Sequence, residues 1–333
     1  MPEHALSEPA LPGFDAVLAA AARIAPFARV TAVLRSQRLD ALAGAELFFK
    51  CEHQQRGGAF KFRGACNAVQ ALDAESAARG VATHSSGNHG AALALAAKLR
   101  GIACHVVVPE GANPAKLEAI RRHGATLHRC APGIAARESA CADVQRDTGA
   151  TLVHPYADAR VIAGQGTAAL ELFAQAGELD LLVVPVGGGG LASGSALSLA
   201  ARSPRCGLLL AEPADADDTL RSLREGERRT NAHVPATVCD GLRGDLGAPD
   251  FELLHAARAE AIAVEDAATL AAMRELWADP RLRVEPSSAI ALAAVLAQPE
   301  RVRGRRIGIV LSGGNIDLAT LPALLAIDEP GAA

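Results

Sequence analysis

Lys61 stands between two phenylalanines in Gly57-Gly58-Ala59-Phe60-Lys61-Phe62-Arg63-Gly64. A lysine stripped of water by such neighbours gives up its proton more readily and can form an imine with an aldehyde. Far downstream, the uncharged run Leu181-Leu182-Val183-Val184-Pro185-Val186 opens into Gly187-Gly188-Gly189-Gly190, followed by Leu191. A glycine tetrad between a strand and a helix offers backbone N–H groups to a phosphate. Each signal has an ordinary alternative: a surface lysine resting its stem on apolar neighbours, and a flexible loop. Together they describe a cofactor carrying both an aldehyde and a phosphate, pyridoxal 5′-phosphate (PLP).

Three further clusters could do chemistry. Ser85-Ser86-Gly87-Asn88-His89-Gly90 follows an apolar run and precedes a helical one. Small hydroxyl residues and glycine at a helix start leave N–H groups suited to a carboxylate, although a plain N-cap has the same composition. His84 and His89 lack an acidic third ligand nearby and read as structural. Ser312-Gly313-Gly314-Asn315 ends another apolar run, which puts a small polar side chain at a strand's carboxyl end. Glu212-Pro213-Ala214-Asp215-Ala216-Asp217-Asp218 supplies hard oxygen donors suited to Mg²⁺ or Ca²⁺, or else a solvated acidic turn.

The elements that must position these clusters alternate along the chain. Strands are expected over 47–50, 81–84, 102–108, 127–129, 181–186, 208–211, 261–264 and 307–311. Helices are expected over 61–72, 90–99, 114–123, 134–147, 164–176, 191–201, 267–277 and 287–296, with a further alanine-rich helix over 16–22. Apolar runs separated by helices imply an α/β fold with parallel strands covered on both faces. Residues 76–157 read as a small mobile domain inserted into a large PLP-binding domain of 1–75 and 158–333. The site is then expected in the cleft between them, outside the carboxyl ends of the strands.

The bulk properties narrow the class. The 333 residues carry a formal net charge of −4, with half of them apolar and 21 % charged. No basic footprint points to nucleic acid or anionic lipid. Residues 181–201 carry no charge, but Pro185 and the glycines divide them into strand, loop and helix rather than a membrane span. The seven cysteines are odd in number and lack a Cys-x-x-Cys pair, so free thiols in a reducing cytoplasm are expected. Glu3 and Glu8 sit where a secretory signal would be basic, residues 329–333 read as a frayed tail, and no regulatory module is expected after residue 320.

The order of the motifs carries a resemblance over most of the chain, from Thr31 to about Leu318. Gly-Ala-Phe-Lys61-Phe-Arg-Gly, Ser-Ser86-Gly-Asn88-His-Gly, Val-Ile-Ala-Gly164-Gln-Gly-Thr, Pro-Val-Gly187-Gly-Gly-Gly190, Asp240-Gly241, Glu285-Pro286 and Leu-Ser312-Gly-Gly-Asn occur in sequence. The chain thereby resembles the fold-type II PLP-dependent serine/threonine dehydratase and serine racemase family, whose fold is like that of tryptophan synthase β. The resemblance implies that Lys61 holds PLP and acts as the base at Cα. It implies that Phe60 and Gly241 flank the pyridine ring, that Asn88 bonds the phenolic oxygen and that Ser312 meets the ring nitrogen. Gly187, Gly188, Gly189, Gly190 and the N–H of Leu191 would cradle the phosphate. Ser85, Ser86, Gly87, Asn88 and His89 would grip the substrate carboxylate, and Glu212, the carbonyl of Ala216 and Asp218 would hold a divalent cation. A homodimer is implied by the resemblance alone.

A neutral Ser312 cannot keep the pyridine nitrogen protonated as an aspartate would, so loss of a β-substituent is favoured over transamination. The expected reaction is elimination of water from a small amino-acid substrate, L-serine or L-threonine first, giving a 2-oxo acid and ammonia. Ser86, on the face opposite Lys61, supplies the second acid/base that racemisation needs, so serine racemase is the alternative. Arg137 could pair with a second carboxylate, which makes 3-hydroxyaspartate a further substrate; a helix-surface arginine is the other reading. A PLP- or nucleotide-binding protein without turnover is the third. Ala91 stands where the family has glutamine, Thr31-Ala32-Val33 where it has Thr-Pro-Leu, and Gly57 where it has threonine.

Overall fold

The computed structural model describes residues 11–317 and Leu321. Glu3, Glu8 and the tail over 329–333 lie outside the described residues.

Among the described residues, ten strands form two sheets. They are β1 (Val33–Leu34), β2 (Glu46–Lys50), β3 (Val81–Thr83), β4 (Cys104–Pro109), β5 (Thr126–Cys130), β6 (Thr151–Leu152), β7 (Leu181–Pro185), β8 (Gly207–Pro213), β9 (Glu260–Val264) and β10 (Arg306–Val310). A six-stranded sheet runs β1-β2-β10-β7-β8-β9, and a four-stranded sheet runs β5-β4-β3-β6. Only the short β1 is antiparallel to its neighbour; every other pair is parallel. All four strands of the smaller sheet come from the stretch between residues 81 and 152.

The sequence dictates this layering through its period of two. In β7, Leu181 and Val183 enter one core while Leu182 and Val184 enter the core on the opposite face. β8 divides in the same way, Leu209 and Ala211 against Leu208 and Leu210. In the smaller sheet Val106 and Val108 of β4 face one core and Val107 the other. Strands buried on both sides read as unbroken apolar runs, and fully burying each Val or Leu contributes about 1.5–3 kcal/mol. The central helix Pro286–Leu296 obeys the same logic, being apolar nearly all round and buried over most of its length.

The uncharged stretch 181–201 is divided into β7, a loop and the helix Gly190–Arg202. No helix among the described residues is long and apolar enough to cross a membrane. All seven cysteines are free, with all but Cys130 buried.

Three helices hold the lysine and the glycine tetrad in register. Lys61–Gln70 packs on Ala159–Ala176, which packs in turn on Gly190–Arg202. The backbones touch at glycines: a Cβ on Gly164 would lie 2.6 Å from Gly64 Cα, and one on Gly194 would lie 2.5 Å from Gly166 N. Side chains there would push Lys61 and the tetrad apart.

Candidate active site

The four polar motifs follow carboxyl ends of parallel strands, or are tied directly to them. β3 runs into the Ser85–Asn88 turn and the helix Asn88–Arg100; β7 runs into Gly187–Gly190; β10 runs into Ser312 and Asn315. The lysine segment is fastened to the last of these. Phe60 N donates to Ser312 O at 2.9 Å, Ala59 bridges Gly313, and Gly314 N donates to Gly58 O at 2.9 Å. Gly58 has φ +73°, and a Cβ there would strike the Asn315 side chain, so the turn requires glycine twice over.

Lys61 opens its helix, with Phe60 as the residue before it. The ammonium nitrogen lies 5.1 Å from the centre of the Phe60 ring and donates to Pro155 O at 2.9 Å. Burial pulls its pKa down to about 8, against the opposing field of Asp250. Pro155 lies just beyond β6, so an amine carried by one sheet's neighbourhood is held by the other's. The imidazoles of His89 and His154 lie within its field, and His84 packs edge-on to His154 with ring centres 5.1 Å apart; each is less basic than usual, chiefly through burial. His89 is turned inward, Nε2 at 3.2 Å from Val153 O, while Ser85, Ser86, Gly87 and Asn88 stay partly exposed. At this turn, then, His89 offers its backbone and not its ring.

Asn88 joins two other segments. Its Nδ2 donates to Glu285 Oε1 at 2.9 Å, and its Oδ1 accepts from Asn315 Nδ2 at 3.0 Å. Burial, with Asp240 next in effect, lifts the Glu285 carboxyl to about 7. A cleft lined by Asn113, Lys116, Asp240, Glu285 and Asn315 opens here. An ion pair between Lys116 and Asp240 spans it.

The glycine tetrad is packed from behind. A Cβ on Gly187 would meet the Leu242 backbone at 2.8 Å, which sets Gly241 beside the loop; Gly241 N itself donates to Ser287 Oγ at 3.0 Å. A Cβ on Gly188 would meet the Tyr156 ring at 2.2 Å. Gly189, at φ +102°, caps the helix Gly190–Arg202. The first N–H groups of that helix, those of Gly190 and Leu191 included, have no intrahelical acceptor and form the positive end of its dipole. The cradle therefore fits a phosphate: small residues, free donors and a closed rear wall.

The chain and its fold match known proteins. The model of the family described as "Pyridoxal-phosphate dependent enzyme" matches residues 24–313. The chain belongs to that family. It is 46 % identical over 312 residues to the beta-hydroxyaspartate dehydratase of Paracoccus denitrificans (strain Pd 1222), covering 94 % of this chain and 99 % of that one. It is 46 % identical over 304 residues to the serine racemase of Arabidopsis thaliana, covering 90 % and 92 %. The structure of maize serine racemase superposes with a TM-score of 0.90 at 43 % identity, over 94 % of this chain and 97 % of that one. The two-sheet architecture is thus that of the fold-type II PLP enzymes, as the order of motifs implied.

Arg137 lies on the helix Ile134–Thr148, near enough for its charge to oppose protonation of His84 and to ease ionisation of Tyr156. Its Nε donates to Gly133 O at 3.4 Å, at the start of the same helix. The acidic turn after β8 sits elsewhere. Glu212 accepts from Thr219 N at 3.0 Å and Leu220 N at 2.6 Å; Asp218 accepts from Asn231 Nδ2 at 2.9 Å and Leu246 N at 2.7 Å. Both carboxyls are raised by burial, to about 8 and about 6. Among the described residues, no group of three or more His, Cys, Asp or Glu is arranged to hold a metal.

The sequence reading passed over Tyr156, His154 and Asp250. Tyr156 contacts Gly188 and Gly190, its ring lies 4.5 Å from that of His154, and Asp250 packs behind Gly189. One signal was available for the first: Tyr156 is the sole tyrosine and closes a His-Pro-Tyr turn. The two-residue β6 before it is too short to register as a strand.

Proposed function

We propose that the chain is an ammonia-lyase that removes water from small L-β-hydroxy amino acids, with 3-hydroxyaspartate accepted beside serine and threonine. The observation that carries this reading is the Lys61 amine, lowered to about 8 and aimed at the meeting point of both sheets. Bound PLP would supply the electron sink that makes the substrate's Cα proton acidic. Lys61, neutral in an appreciable fraction near physiological pH, takes that proton. The N–H groups at the start of Asn88–Arg100 orient the substrate's α-carboxylate. The uncharged Ser312 hydroxyl leaves the sink moderate, so a β-hydroxyl departs in preference to a change of the cofactor's oxidation level.

Support for a second carboxylate comes from Arg137, whose charge reaches His84 and Tyr156, and from the dehydratase relative. A second reading, serine racemase, is favoured by Ser86 and by the racemase relatives, because a hydroxyl facing Lys61 across the substrate could return a proton to the other side. We place the mobile unit at 76–157, closing on the rest of the chain across the Lys116–Asp240 pair. We take Glu212, the Ala216 carbonyl and Asp218 as a divalent-cation site: two carboxyls, each 1 % exposed, sit near one another with no cationic side chain bonded to them. A hard cation would offset that charge through oxygen donors. The functional unit is proposed to be a homodimer.

Incubation with L-serine, L-threonine and 3-hydroxyaspartate, following 2-oxo acid and D-serine together, tests the reading. Turnover of L-serine chiefly to D-serine would favour the racemase, and bound PLP without any product would leave a non-catalytic carrier.

A further inference from the structure

Asp250 is fully buried, and the mechanism above does not use it. It lies on the helix Ala248–Ala256, directly behind the glycine tetrad: a Cβ on Gly189 would sit 2.5 Å from Asp250 Cβ and 2.9 Å from its Cγ. Its Oδ1 accepts from Ser193 Oγ at 2.9 Å, in the first turn of Gly190–Arg202. Its Oδ2 is buried with no partner, against Gly247. An ionised carboxylate would thus occupy the N-terminal end of the same helix whose free N–H groups fit a phosphate. One positive helix end would then face two anions in a dry setting, where like charges repel most strongly.

We propose that Asp250 is held as the neutral carboxylic acid whenever the tetrad carries a phosphate monoester, so that cofactor retention is coupled to uptake of one proton. This rests on the tetrad being the PLP phosphate site. The surroundings are consistent with it. Burial lifts the Asp250 carboxyl to about 8 even without a bound anion, opposed by Ser193 and Lys61. Lys61 and Tyr156 are the titratable groups that share its field. Asp218, Asp245 and Arg228 lie on the flank, bonded to Leu246 N, to Asn231 and to Leu246 O respectively. Gly190–Arg202 brings no charge until Arg202 at its far end, and Glu252 and His255 of Asp250's own helix are exposed. The phosphate monoester is dianionic above a pKa of about 6, so Asp250 is the group left to titrate at the tetrad.

The test measures the dissociation constant of PLP from the full-length protein by ultrafiltration between about pH 6.5 and 9.5, for the wild type and Asp250→Asn. The ratio of the two constants, wild type over variant, should be near one at the acid end. It should then climb by up to about tenfold per pH unit above the carboxyl's pKa. Lys61 titrates in both proteins and shares a field with Asp250, so its contribution is read separately from the binding of pyridoxal, which lacks the phosphate. A ratio that stays flat overturns the proposal, as does weaker binding by Asp250→Asn at every pH, which would mean that the carboxylate itself is needed. If the variant does not fold, the wild type alone decides. Its affinity for pyridoxal, which lacks the phosphate, should not share the alkaline loss seen with PLP, and equal losses overturn the idea. Failure of the wild type to bind PLP at any pH would instead sink the proposed function, and this inference with it.

Discussion

Arg63→Met should destabilise the protein by about 3–5 kcal/mol, the usual cost of removing one partner from a buried ion pair. The Arg63 side chain is wholly buried and grips two carboxylates. Nε and Nη2 reach Glu52 at 2.7 and 2.8 Å, and Nη1 and Nη2 reach Glu171 at 2.7 and 2.8 Å. Glu171 is 21 % exposed and keeps Lys50 at 2.6 Å, so most of the cost falls on Glu52, which is fully buried. Methionine fills much of the arginine stem's volume, which limits the cavity contribution. With an unfolding entropy of about 2.1 cal/mol/K per residue, the 333 residues give roughly 0.7 kcal/mol/K, so Tm should drop by about 4–7 °C. The pH dependence gives the sign. Burial pushes the Glu52 carboxyl up, but Arg63 and Lys50 outweigh it and hold it below its ordinary value. In the wild type this carboxyl therefore adds stability above the ordinary carboxyl pKa of about 4.3, lost on acidification. Without Arg63 the burial effect wins, and protonation relieves the variant as pH falls. The Tm deficit should thus shrink between pH 8 and pH 5, and Arg63→Met/Glu52→Gln should recover part of it at pH 8. Thermal unfolding followed by circular dichroism at several pH values reads all of this. A variant as stable as the wild type at pH 8, or a deficit unchanged by pH, would refute the reasoning.

Lys61→Ala should abolish every turnover and the visible absorbance of the PLP–lysine linkage, while far-UV circular dichroism stays native; retained absorbance would move the attachment point elsewhere. Ser86→Ala should lose at least about a hundredfold of any D-serine formation, the lower end of what one general acid/base contributes, and keep elimination from the L-isomer; equal loss of both would contradict an acid/base on the second face. Chelation should lower the Tm of the wild type, and Glu212→Gln should remove that sensitivity. A wild type indifferent to chelator would dismiss the cation.

The sequence by itself determined the parallel α/β layering and the turns that leave the carboxyl ends of its strands. Both rest on local signals: apolar runs of strand length, then glycine and small polar residues where a strand must turn. Gly187 to Gly190 and Ser312 could be named because composition marks strand ends, and Lys61 because two phenylalanines flank it. Elements without such marks escaped. β1 and β6 are two residues each, and the short helices Gln37–Ala43, Asp218–Glu225 and Ala248–Ala256 carry few periodic positions. What touches what was decided only by tertiary structure. Nothing local distinguishes Asp250 from a solvated helix-start aspartate, or Arg63 from a surface arginine. Burial, which changes the charge state of one and fixes the partners of the other, arises from helices brought together across the fold, far apart in the chain.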